Sequence, residues 1–138
     1  MAHDFAPVQS YSCVTDLTAK QYYCMTMSGA RTVAVCSAAT DVVIGLLFSK
    51  PLLAGTASVP VAVSVAQLCG MTMDAAMDGT TDIAVLDRLG VNSSGVLVKK
   101  ATGDYGVVAI ALEVCTTNGV EIHPVLWLGF HGWFTIGG

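Results

Sequence analysis

The sequence predicts an all-β fold: a compact antiparallel β-barrel or sandwich of short strands, with at most one or two short helices and an extended N-terminal arm. Short apolar runs rich in β-branched residues recur along the chain, and Gly, Asn and Asp turns separate them. Valines at every second position from 59 to 65 show the two-residue period of a strand. A polar turn carrying Asp opens into an apolar run twice, at residues 40–47 (TDVVIGLL) and 103–112 (GDYGVVAIAL). Both copies are typical of strands rather than helices.

The first half of the chain predicts a hairpin followed by two longer strands. Residues 22–36 contain two apolar runs around a glycine turn, which is the pattern of a hairpin. Residues 42–48 form the next predicted strand. Residues 58–67 form another, and Pro60 argues against a central place in the sheet because proline donates no ladder hydrogen bond.

The second half contains five further candidate segments. Two of them fit a short strand and a short helix equally well, at residues 69–78 and 82–89. Three are typical of strands, at residues 96–99, 107–115 and 120–128. Asn118-Gly119 lies between the last two and is a strong signal for a hairpin turn.

The composition predicts one domain with an apolar surface. The 138 residues fit a single β domain, with an arm at 1–15, a core at 16–126 and an aromatic, glycine-rich tail at 127–138. Charged residues make up 12% of the chain, about half the usual share. We therefore expect exposed apolar surface that further copies or another protein cover. A surface made of Ser, Thr and Gly is the alternative.

The charge pattern argues against nucleic-acid and membrane binding. The net charge is −4, and only Lys99 and Lys100 are adjacent among six basic residues, so no cationic cluster for phosphates is expected. Residues 51–73 carry no charge, but glycines and a proline interrupt them and their valines alternate as in a strand. The first five residues lack the basic and apolar regions of a signal peptide.

The five cysteines indicate a reducing compartment. Their number is odd, none forms a C-x-x-C pair, and most lie among apolar residues, where a free cysteine behaves as a small hydrophobe. Two disulfides with one free thiol are the alternative.

The histidines and aspartates predict no metal site. His3, His123 and His131 lack the i, i+4 spacing of a zinc helix, and no cysteine pair completes a tetrahedral site. Three aspartates recur every fourth residue from 74 to 82, but turns explain them more simply than a calcium site, which needs six or more oxygens.

The remaining polar residues predict no catalytic site and no cofactor. Glu113 and Glu121 are expected to form an exposed pair across the Asn118-Gly119 hairpin, and no nucleophile elbow, P-loop or dinucleotide fingerprint occurs. The chain is therefore not expected to be an enzyme. The alternative, a small β-barrel enzyme or ligand binder, requires a deep polar pocket that joins His123 or His131 to one of these glutamates.

Aromatic residues near both ends are the candidate interface residues. The tail holds both tryptophans, and aromatic side chains are enriched at the centres of interfaces. Closure of the chain's own core is the other explanation for them. The candidates are Phe5, Tyr11, Trp127, Phe130, Trp133 and Phe134.

Several segments together resemble the small capsid decoration (cement) proteins of tailed bacteriophages. The resemblance runs from about Asp16 to Leu126 and depends on the order of its pieces. They are residues 16–23 (DLTAKQYY), 43–47 (VIGLL), Pro51, 54–55 (AG), 92–95 (NSSG), 101–105 (ATGDY) and 109–113 (AIALE). The five cysteines, the His123-Pro124 segment and the aromatic tail depart from the family pattern.

The resemblance implies a virion protein without an active site. Such a protein is made in the host cytoplasm, binds the outer surface of an icosahedral capsid as a homotrimer, and clamps neighbouring subunits of the major capsid protein. The alternative within the virion is another surface component, either a fibre base or a host-binding module.

Overall fold

The computed structural model describes residues 8–101 and 106–129, and it confirms the all-β prediction. Ten strands and no helix occur in these ranges, so none of the described segments is a helix able to cross a membrane. The strands are β1 (Val8–Cys13), β2 (Cys24–Gly29), β3 (Thr32–Val35), β4 (Gly45–Leu47), β5 (Val61–Ala66), β6 (Thr72–Asp78), β7 (Arg88–Val91), β8 (Leu97–Lys99), β9 (Ala109–Ala111) and β10 (Val120–Trp127).

The strands form two closed five-stranded barrels, one in each half of the chain. The first has the order β1-β3-β2-β4-β5 and the second the order β6-β8-β7-β9-β10, and in each the last strand pairs with the first. The β1–β3 and β6–β8 pairs are parallel, and the other described pairs are antiparallel. Closure leaves none of the ten described strands at a free sheet edge, which short strands of this kind would otherwise expose.

The two barrels are copies of one arrangement. Their strands follow in the same order, and backbone hydrogen bonds recur at equivalent places along both. The amide of Tyr22 donates to the carbonyl of Leu47 at 2.7 Å, and the amide of Leu86 donates to the carbonyl of Ala111 at 2.8 Å. Tyr22 and Leu86 also share a left-handed backbone, with φ of 72° and 73°. The phrase that occurs twice in the sequence therefore marks β4 and β9 of an internal repeat.

The barrels share a core. One cluster of buried side chains fills the first barrel, whereas the larger cluster combines Cys24, Cys36 and Leu46 of the first barrel with side chains of the second. Backbone bonds also join the halves, since the amide of Cys24 donates to the carbonyl of Gly95 at 2.8 Å. The described cysteines carry free thiols, and burial raises the pKa of Cys36 to about 12.

The folded core extends beyond both predicted bounds, 16 and 126. The sequence predicts an arm at 1–15, but residues 8–13 form β1, which pairs with β5 along its whole length. At the other end Trp127 closes β10 and is fully buried. The rest of the expected arm and tail, residues 1–7 and 130–138, lies outside the described ranges.

The structure confirms the predicted hairpin and assigns the two ambiguous segments. Residues 22–36 form the hairpin, with a bulge near its turn. Residues 72–78 are strand β6. Residues 82–87 are neither a strand nor a helix, because the Asp87 carboxylate accepts a hydrogen bond from the amide of Ala84 at 2.8 Å and holds a turn, and β7 begins only at Arg88.

Candidate functional site

The connection between β4 and β5 exposes the most prominent apolar side chains of the first barrel. We call residues 48–60 the apolar loop. Its exposed fractions are 55% for Phe48, 88% for Leu52, 71% for Leu53 and 66% for Val59. Lys50 carries the single charge of this segment. Isolated exposed leucines are ordinary, but four large apolar side chains in one short loop are typical of a binding surface.

The apolar loop is anchored to the barrel at several points. The amide of Phe48 donates to the carbonyl of Ser64 at 2.8 Å, and the side chain of Gln21 donates to the carbonyl of Phe48 at 2.9 Å. Further along, the amide of Gly55 donates to the carbonyl of Thr15 at 3.1 Å. Pro51 is buried among these contacts. The loop therefore presents its side chains from a fixed backbone, which reduces the entropy lost when a partner binds.

A groove between the two barrels begins beside Phe48. Its volume is about 360 Å³, and Asp74 is the charged residue in its lining. Both barrels contribute to it, through Val8, Tyr22, Leu46, Leu47, Phe48, Ala66, Met71, Thr72, Met73 and Asp74. The apolar surface of the loop therefore continues into this groove between the two barrels.

A polar cluster lies on the second barrel around His123. Its Nδ1 is 2.9 Å from the Glu113 carboxylate and its Nε2 is 3.0 Å from the Glu121 carboxylate. Alternation along β10 puts Glu121 and His123 on one face, and the amide of Leu112 binds the carbonyl of Pro124 at 3.2 Å, which brings Glu113 alongside. The glutamates expected to face each other therefore have the imidazole between them.

The two carboxylates favour the charged imidazole. The hydrogen bond to Glu113, followed by that to Glu121, raises the pKa of His123, because a neutral ring has one N–H and cannot donate to both carboxylates. Reciprocally, the hydrogen bond to His123 lowers the pKa of Glu121. Both glutamate side chains are well exposed, so this cluster is not the deep polar pocket that the enzyme alternative requires.

The structure separates the predicted interface residues. Trp127 packs in the shared core and presents no surface to a partner. Tyr11 is half-buried; its hydroxyl donates to the Gln67 side chain at 3.2 Å, and the guanidinium of Arg31 lies 5.7 Å from its ring centre. The remaining candidates lie outside the described residues: Phe5, Phe130, Trp133 and Phe134.

Sequence reasoning missed the apolar loop, although a signal was present. Residues 51–53 read Pro-Leu-Leu between two predicted strands, where a connection is usually polar. Residue type alone does not predict exposure, because exposure depends on whether a side chain points into a barrel or away from it.

Comparison with known proteins supports the fold. No protein-family model matches this chain, and no curated protein sequence matches it. A solved structure does: the N base of the head fibre gp8.5 of bacteriophage phi29, with a TM-score of 0.61 and 13% sequence identity. The match covers 92% of this chain and 97% of that one. At this identity the comparison establishes a shared fold over nearly the whole length.

Proposed function

We propose that this protein is a structural component of a tailed-phage head that binds the outer surface of the capsid through its apolar loop. In this role it clamps neighbouring subunits of the major capsid protein, as a cement protein does, and it has no enzymatic activity. The observation that carries this function is the anchored loop that displays Phe48, Leu52, Leu53 and Val59. The fold match to a phage head fibre protein supports a virion role.

Energetics favour binding in several copies. Burying one large apolar side chain completely contributes about 1.5–3 kcal/mol. The four side chains of the loop are between 55% and 88% exposed, so burying their remaining surface contributes roughly 4–8 kcal/mol. Association costs about 4–15 kcal/mol in lost freedom of motion, so a single loop binds weakly. A homotrimer presents three loops to a symmetric lattice, and linked binding raises the overall affinity without new contacts. We therefore propose the homotrimer as the binding form, with partners limited to itself and the major capsid protein, and neither nucleic acid nor membrane.

Paired substitutions test the capsid-facing surface. Leu52→Ser/Leu53→Ser removes the two most exposed leucines, and we expect about 100-fold weaker co-sedimentation with undecorated heads because roughly 3 kcal/mol or more of apolar burial is lost. Val85→Ser/Val114→Ser is the matched control, since both valines are exposed on the second barrel, at 52% and 55%. Circular dichroism confirms that each variant folds.

Two outcomes would contradict the assignment of this surface. Unchanged binding of Leu52→Ser/Leu53→Ser would show that the apolar loop does not face the capsid. Equal loss in both double variants would show that exposed apolar area in general, rather than this loop, governs retention on the head.

A head-fibre base is the second candidate function, because the chain shares its fold with the N base of a phage head fibre. A cement protein is present in many copies per particle, whereas a fibre base is present in few. Densitometry of purified virions against the major capsid band separates the two. A high copy number together with fragile heads in its absence supports clamping, and a low copy number with intact heads supports the fibre base.

A further inference from the structure

The polar cluster around His123, together with Cys115, has the composition of a metal site. The Sγ atom of Cys115, a carboxylate oxygen of Glu121 and a ring nitrogen of His123 all lie within 4.8 Å of one another. Cys115 is buried and His123 is largely buried, while the Glu121 side chain is exposed at the barrel surface. The apolar loop belongs to the other barrel, so this cluster is independent of the proposed capsid contact.

The backbone fixes the position of Cys115. Its amide donates to the carbonyl of Ile83 at 3.0 Å, and its carbonyl accepts from the amide of Ile83 at 2.9 Å. Gly79 packs directly against the same peptide, where a Cβ atom would lie 2.5 Å from the Cys115 carbonyl oxygen. Glu121 and His123 stand two residues apart on β10, in a ladder with β6. All three side chains therefore project from paired backbone, which favours a preorganised site.

We propose that Cys115, Glu121 and His123 bind a divalent transition-metal ion of the zinc class, with His123 coordinating through Nε2. Thiolate, imidazole and carboxylate are the ligands that zinc takes in proteins, and three protein ligands leave a fourth position for water or for a side chain of a neighbouring protein. Glu113 accepts the Nδ1–H of the same imidazole, which is the carboxylate–histidine–metal arrangement that orients many metal-binding histidines.

The imidazole and the carboxylate require only a small adjustment, whereas the Cys115 Sγ atom, which lies within 4.8 Å of both, must approach them to roughly 3.5 Å. His123 Nε2 and the Glu121 carboxylate are 3.0 Å apart, which is a hydrogen bond. Two ligand atoms on one tetrahedral zinc ion, each about 2.0–2.1 Å from it, lie roughly 3.3 Å apart. Replacing the shared proton by a metal ion therefore separates the two groups by a few tenths of an ångström.

Protons compete with the metal at this site. Binding displaces the Nε2 proton of His123 and the thiol proton of Cys115. The affinity for metal should therefore increase with pH across the neutral range.

Cobalt titration of the full-length, metal-free protein tests the site. Co²⁺ reports thiolate ligation by a ligand-to-metal charge-transfer band and tetrahedral geometry by intense visible bands. We expect one equivalent to bind at pH 8, Zn²⁺ to displace it, and binding to weaken at pH 6. Cys115→Ser should abolish the charge-transfer band, and His123→Gln should weaken binding by at least 100-fold.

Two further variants separate this site from others in the chain. Glu113→Ala should weaken binding about 10-fold to 100-fold, the usual effect of removing a carboxylate behind a ligating histidine. Cys69→Ser is the matched control, because Cys69 is an exposed cysteine away from the cluster, and it should leave the titration unchanged. Absence of a thiolate band in the wild-type protein, its loss in Cys69→Ser, or unchanged affinity in His123→Gln would each overturn the metal site.

Discussion

Adding a methyl group at Gly95 tests the junction between the two barrels. Gly95 lies in the turn between β7 and β8 with φ of 82°, and its carbonyl accepts the bond from Cys24 of the other barrel. A Cβ atom there would overlap the Val35 side chain and lie 3.1 Å from the carbonyl oxygen of Cys36. Gly95→Ala therefore combines backbone strain with a steric conflict between the repeats.

Gly70 provides a control for the backbone strain alone. Its φ is 86°, but a Cβ atom there meets nothing within 4 Å. A left-handed backbone costs a non-glycine residue about 1–2 kcal/mol, which is the loss we expect for Gly70→Ala. Overpacking adds about 1–3 kcal/mol, so Gly95→Ala should lose roughly 2–5 kcal/mol.

Equilibrium unfolding in urea measures both losses, and a second substitution identifies the conflicting side chain. Val35→Ala makes room for the new methyl group, so Gly95→Ala/Val35→Ala should be at least ~1 kcal/mol more stable than the sum of the single effects predicts. Equal destabilisation by Gly95→Ala and Gly70→Ala, or strict additivity with Val35→Ala, would refute the described packing of the two barrels.

Two further predictions concern His123 and Trp127. The pKa of His123 is raised in the folded state, so its stabilising effect is complete below the unfolded value of 6.5 and disappears as pH rises through the folded value. The pKa of Glu121 is lowered from 4.5 in the folded state, so the stability that this carboxylate contributes is lost as pH falls through its folded-state pKa. With EDTA present, the urea midpoints of wild type and His123→Gln should therefore differ most between pH 4.5 and 6.5 and converge at higher pH. A constant difference would contradict the hydrogen bonds of His123 to Glu113 and Glu121. Trp127→Ala should cost about 3–5 kcal/mol of unfolding free energy, because the side chain is fully buried. An unchanged urea midpoint for Trp127→Ala would contradict a core role for Trp127.

The polar cluster around His123 could be predicted only in part from local sequence patterns. Glu113 and Glu121 were recognised as neighbours across a hairpin, because an Asn-Gly turn sets the approach of its flanking strands. The imidazole between them and the thiol beside them depend on the face that each strand turns to the barrel. That face follows from β10 pairing with β6, a segment more than forty positions away.

The sequence by itself determined that this is an all-β protein with a hairpin over 22–36, and it carried a repeated phrase that marks two equivalent strands. These features are local, because strand period and turn chemistry act between residues that are close along the chain. Only the tertiary structure decided that the strands close into two barrels, that residues 8–13 complete the first and that Trp127 joins the shared core. Closure depends on pairing between distant strands, and burial depends on which residues the second barrel covers. Neither can therefore be predicted from a short segment of sequence.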